Sequence, residues 1–145
     1  MILSIDEIQE HYEFLKNRLV QGLCELNDRI PSLNIRFNSL IIDDNKRQSP
    51  SIVNFSFSPV EGEVILHHLE EKGIFVGLGS ACSASLKKPS KILKGIGLTN
   101  EEARCSLRIS FSRNNTIKDI DMFLKEFSIA YQILHSIFSK INTKS

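Results

Sequence analysis

Ser51–Ser58, SIVNFSFS, alternates without a break: Val53, Phe55 and Phe57 are apolar, and Asn54, Ser56 and Ser58 stand between them. Successive side chains of an extended chain point to opposite sides. The pattern therefore predicts a half-buried strand, apolar face on a core and polar face outward. Downstream, Glu61–Lys72 reads as a helix with acids early and Gly73 as its C-terminal cap. Ile74–Val76 reads as a short strand running into a small-residue loop. Ser90–Ile96 and Asn100–Ala103 read as short helices, and Ser106–Phe111 as a strand. Thr116–Asp119, TIKD, caps a final helix with Ile117, Ile120, Phe123, Leu124, Phe127, Tyr131, Leu134 and Phe138 inward.

Upstream, Asp43–Pro50 is a polar connection and Asn34–Ile42 a further strand. Ser4 to about Ile30 is one long amphipathic helix, its apolar residues at Ile5, Ile8, Tyr12, Leu15, Leu19, Leu23, Leu26 and Ile30. Ser4-Ile5-Asp6-Glu7 forms a capping box, Leu3 and Ile8 suit a hydrophobic staple, and Pro31 stops the helix. Roughly 40 Å of helix is long for a small domain, so part of its face is expected to pack on something outside the chain. Helix, strands, helix, strand, short helices, strand, helix is an α+β pattern. It predicts a small antiparallel or mixed sheet with helices packed on one face.

The 145 residues suit a single domain, 1–145. A net charge of +1 argues against a nucleic-acid-binding surface. No apolar run reaches the 18 or so residues of a membrane helix, and no signal-peptide pattern opens the chain. Three cysteines, Cys24, Cys82 and Cys105, form an odd set with no pairing framework, which favours a cytoplasmic setting.

Chemistry concentrates in Gly77–Ser85, GLGSACSAS. Cys82 stands among glycine, serine and alanine, with no bulky neighbour to bury it. A free thiol, pKa near 8.5, is only about 3% thiolate at pH 7. On residue types alone Cys82 reads first as a small loop residue and only second as a nucleophile. Arg108 alternates with Leu107, Ile109 and Phe111 and so faces away from them. Its guanidinium can hold a carboxylate through two parallel hydrogen bonds, though a solvated or structural salt bridge is the commoner fate of an arginine. His67 and His68 are adjacent on a helix and diverge by about 100°, which suits one surface and one interface histidine rather than a metal site. Cys24 and Cys105 read as packing residues.

GSACSAS, then PSKILKGIGL, then EEARCSLRISFSRNNTIKDID, in this order and spacing, resembles the C-terminal part of cysteine desulfurases, pyridoxal-phosphate enzymes of the class V aminotransferase group. The resemblance is close over Ser51–Asp121. It implies the small domain of a fold-type-I pyridoxal-phosphate enzyme. It makes Cys82 the sulfur acceptor, on a loop with Gly79, Ser80, Ala81 and Ser83. Arg108 becomes the residue that binds the substrate α-carboxylate. The substrate is L-cysteine; sulfur passes to Cys82 as a persulfide and alanine leaves, for iron–sulfur clusters or thiolated products. Pyridoxal phosphate is expected on a larger domain that this chain lacks, and not on this chain. The isolated chain is then an excised domain, a proteolytic product or one chain of a split protein, and inactive by itself. The complete protein is expected to be a homodimer. Two departures stand out: Ser112 replaces the glycine of the family's Gly-Arg pair before Arg113, and Leu78 sits in the loop, where it suits packing on a partner domain or subunit. Two other readings use the same residues: a non-catalytic sulfur-relay or interaction module, and a selenocysteine-lyase relative.

Overall fold

The computed structural model describes residues 4–38, 51–79 and 104–143. The two short helices expected within 90–103 and residues 39–42 of the strand expected over 34–42 lie outside them, as does Leu3 of the staple.

Helix α1 spans Ile5–Arg29. The Ser4 hydroxyl oxygen accepts from the Glu7 amide at 3.1 Å and its proton goes to the Glu7 carboxylate at 3.2 Å, so Ser4 caps the helix with Glu7 bonded to the capping hydroxyl. Leu15, Leu19, Leu23 and Leu26, spaced four, four and three, are its buried stripe. The stripe begins later than the sequence suggests: Ile5 is exposed, as is Phe14. A 3-10 turn over Pro31–Leu33 follows, and Asn34 takes the left-handed conformation that ends it. That turn is why the strand starts only at β1, Arg36–Phe37.

Strand β2 is Ile52–Ser56. Helix α2, Gly62–Glu71, ends as the sequence predicts. The Gly73 amide donates to the Glu70 carbonyl at 3.0 Å and the Ile74 amide to the Leu69 carbonyl at 2.9 Å, a Schellman closure with Gly73 at φ +79°. Residues 74–76 pair with nothing in the sheet. Strand β3 is instead Gly77–Leu78, beginning where the chain comes opposite Arg108 of β4, Ser106–Ser110. Leu78 is therefore a strand residue, partly buried against the core of this chain, and not a loop residue. Helix α3 is Ile117–Thr143.

The sheet runs β1-β2-β4-β3 with every pairing antiparallel. Val53 lies opposite Ile109 and Phe55 opposite Leu107, which fixes one apolar face. The helices cover that face. Phe127 of α3 meets Phe55 and Phe57 edge-on, at 5.6 and 5.2 Å between ring centroids, and stacks on Phe123 at 5.6 Å. A ring buried this completely contributes about 1.5–3 kcal/mol. Tyr131, also buried, donates its hydroxyl to the Ser58 carbonyl at 2.6 Å and lies 3.0 Å from the Ser32 hydroxyl. One residue thereby ties α3 to the 3-10 turn and to the exit of β2. Of the inward positions expected on α3, Phe138 is the exception at 40% exposed. Helices α1 and α3 are bridged at the surface by Arg18 and Asp121 at 2.8 Å, an exposed pair worth little.

The second face of the sheet departs most from expectation. Asn54 and Ser56 were to face outward, yet they are 8% and 3% exposed, and Ser106 on the neighbouring strand is 1% exposed. Their polar atoms are met by other polar groups, so burial costs less than it would in an apolar setting.

Candidate functional site

Directly paired residues of neighbouring antiparallel strands share a face. Asn54, Arg108 and Gly77 form such a row across β2, β4 and β3, and Ser56 pairs with Ser106 in the next row. Arg108 is thus placed on a central strand, on the face away from the helices, with Leu107 and Ile109 buried to either side of it on the other face. It is exposed. A Cβ built on Gly77 would lie 3.4 Å from both Nε and Nη2 of Arg108. The Arg108 guanidinium therefore passes over Gly77 at a distance where a Cβ would just touch it.

Gly79 is held on the same face. Its amide donates to the Ser106 carbonyl at 3.2 Å, and Asn54 Nδ2 donates to its carbonyl at 3.4 Å. A Cβ at Gly79 would run into the Ser106 hydroxyl and lie 2.7 Å from Ser106 Cβ and 3.0 Å from Asn54 Oδ1. Only glycine fits this approach. Behind it, the Asn38 amide donates to Asn54 Oδ1 at 3.1 Å and to the Ser56 hydroxyl at 2.7 Å.

Of the residues the sequence singled out, Arg108 and Gly79 therefore come together on one face. Ser80, Ala81, Cys82 and Ser83 lie outside the described residues. Asn38, Asn54 and Ser106 escaped the sequence analysis because polar residues in an alternating strand read as solvent-facing. The available signal was Asn54 itself, since asparagine is depleted from strand interiors unless its amide has a task.

Elsewhere the expectations divide. Cys105 is buried, its thiol 3.8 Å from the Pro59 carbonyl. Cys24 is exposed, not a packing residue, because it falls outside the Leu15–Leu26 stripe. His67 is a surface residue beside Glu63 and Glu70, and His68 is half-buried. Among the described residues no group of three or more His, Cys, Asp or Glu could hold a metal. Arg113 is exposed in the turn after β4. At the start of α3, Asp119 Oδ2 accepts from the Thr116 amide at 2.9 Å and from Asn115 Nδ2 at 3.3 Å. The Thr116 amide first, then the Asn115 side chain, hold the Asp119 carboxyl below the ordinary carboxylate range. Burial raises the Tyr131 phenol, against the Ser32 hydrogen bond. No helix among the described residues is long and apolar enough to cross a membrane.

Residues 1–123 match the family described as Aminotransferase class-V, and the chain belongs to that family. It is 39% identical over 126 residues to "Cysteine desulfurase IscS" of Clostridium botulinum (strain Hall), covering 85% of this chain and 30% of that protein. To the "Cysteine desulfurase" of Gluconacetobacter diazotrophicus it is 35% identical over 120 residues, covering 83% of the chain and 28% of that protein. Among solved structures, a "NIFS-LIKE PROTEIN" superposes with a TM-score of 0.66 at 23% identity, covering 88% of this chain and 29% of the other. The NifS-like protein from Rickettsia africae gives 0.53 at 22% identity, over 79% and 28%. These bear out the fold. The chain spans about 30% of the length of the curated relatives it matches.

Pyridoxal phosphate attaches through a lysine amine; the four described strands carry none, so the sheet face that holds Arg108 does not itself supply that amine.

Proposed function

We propose that residues 1–145 are the small, C-terminal domain of a cysteine desulfurase. In this reading Arg108 and Cys82 belong to a site completed by a larger domain that carries pyridoxal phosphate, in a protein that works as a homodimer. The observation that carries it is the convergence on one sheet face of Arg108 and of Gly79, the residue from which the GSACS stretch continues. Cys82 follows Gly79 by three residues in the sequence. The reading has Arg108 hold the substrate by its carboxylate and Cys82 take its sulfur.

Each group has one task. Arg108 offers the planar fork that takes both oxygens of the L-cysteine α-carboxylate. Cys82, as thiolate, takes the sulfur: the carbon–sulfur bond of the substrate breaks, a sulfur–sulfur bond forms, and the substrate carbon gains a proton. L-cysteine and a thiol thus become alanine and a persulfide, balanced without an external oxidant. The persulfide is then available to an acceptor for iron–sulfur clusters or thiolated products.

The test uses the full natural protein carrying this chain. With L-cysteine, the wild type should form a persulfide on Cys82 detectable by peptide mass spectrometry and release one alanine per sulfur. Cys82→Ser should abolish both. Sulfur release that survives in the variant would remove Cys82 from the reaction. A wild-type protein that accepts sulfur only from another protein's persulfide would favour the relay reading.

A further inference from the structure

We infer that Gly77 is a positioning residue for Arg108: having no side chain, it sets the path over β3 along which the guanidinium is offered to the substrate carboxylate; this rests on the desulfurase reading above. On its face of the sheet Arg108 has Asn54 opposite it on β2, Gly77 opposite it on β3, and Ser106 and Ser110 two positions away along β4. Of these only Gly77 has no side chain, and the guanidinium lies on that side. A Cβ at 77 would stand 3.4 Å from Nε and Nη2 and 3.7 Å from Cζ. The side over β2 is taken: the Asn54 amide accepts from Asn38 at 3.1 Å and donates to the Gly79 carbonyl at 3.4 Å.

The backbone does not ask for glycine at 77. Among the described glycines only Gly73 has a positive φ. The three atoms nearest to a Cβ at 77 all belong to Arg108. Glycine weakens a strand, and inside one it marks a place where another group comes close to the backbone. Here that group is the arginine fork. The fork is also uncommitted: among the described residues no carboxylate pairs with Arg108, whereas Arg18 holds Asp121 at 2.8 Å. A guanidinium already bonded to a protein carboxylate would have to give it up before taking a substrate. This one has only to be pointed, and with no ion pair to anchor it the surface beneath decides where its planar edge is presented. Valine at 77 would place two methyl groups about 1.5 Å beyond the Cβ that already touches the fork. Its χ1 has little freedom to turn both away. The guanidinium would have to leave its present path.

The experiment compares wild type with Gly77→Val in the full natural protein. It measures kcat and KM for L-cysteine by alanine release, together with alkylation of buried Cys105 by iodoacetamide as a report on the fold. The expected result is a KM raised about 10- to 100-fold, the scale of a lost hydrogen bond to a charged group. The kcat should stay within about threefold, because a mispointed fork weakens ground state and transition state alike. Cys105 should stay protected. In an Arg108→Ala background the same substitution should change kcat/KM by less than about twofold, since no guanidinium is left to displace. An unchanged KM in Gly77→Val with Cys105 protected would overturn the inference, as would a fall in kcat with KM intact. An equal loss in the Arg108→Ala background would overturn it too, by showing that Gly77 acts through something else. If Gly77→Val opens Cys105 to alkylation, Gly77→Thr, of nearly the same shape, decides: an unchanged KM there refutes the inference. Failure of the desulfurase reading looks different, because then the wild type itself shows no turnover of L-cysteine.

Discussion

Tyr131→Phe removes a single oxygen from the centre of the molecule, and the structure fixes what that oxygen does. The ring is fully buried and remains so in the variant, so no apolar transfer energy is lost and no cavity larger than one atom opens. Two contacts disappear: the donation to the Ser58 carbonyl at 2.6 Å and the 3.0 Å contact with the Ser32 hydroxyl. Ser32 is exposed and regains water, so its loss costs little. The Ser58 carbonyl is only partly accessible and loses a short partner, which should cost about 1–2 kcal/mol. For a chain of 145 residues that is a fall in Tm of roughly 2–8 °C. Urea unfolding followed by far-ultraviolet circular dichroism should show a lower midpoint at unchanged slope. Dichroism is preferred to fluorescence because the chain has no tryptophan and Tyr131 is one of only two tyrosines. The variant should also lose an alkaline sensitivity. The folded phenol titrates above its unfolded value of 10.0, so its contribution is full below pH 10 and fades as pH rises through the higher folded value. A variant as stable as wild type at neutral pH would refute the view that Tyr131 ties α3 to the 3-10 turn.

Arg108→Lys keeps the charge and loses the fork. It should raise KM for L-cysteine and lower kcat/KM by about 2–4 kcal/mol, measured by alanine release, whereas unchanged kinetics would take Arg108 out of the site. Asp119 makes a pH prediction of opposite sign to Tyr131: its carboxyl is held below 3.8, so its hold on the start of α3 is present above pH 3.8 and is lost as pH falls through the lower folded value. Amide exchange of residues 116–120 should therefore quicken in wild type on acidification below pH 4. In Asp119→Ala it should already be fast at pH 6.

Much of the fold was legible because the relevant signals are local. The Ser4–Glu7 cap, the leucine stripe of α1, the Gly73 closure and the alternation of β2 and β4 each depend on residues a few positions apart. The direction of pairing, left open between antiparallel and mixed, depends on which strands meet, and Asn54 opposite Arg108 is a partnership across more than fifty residues. Leu78 was misread for the same reason: a two-residue strand has no period, and its membership of the sheet is decided by Leu107 opposite it. The site was half legible. Arg108 announces itself by alternation and chemistry. The asparagines do not, because their work is done on a glycine backbone brought close only by folding.

Enclosure of the two five-residue strands has its own effect on the molecule's behaviour in a crowded solution. Strand β2 is paired with β1 and β4, and β4 with β2 and β3. Where they are so paired, their apolar residues offer no free edge for a stray extended segment to zip onto.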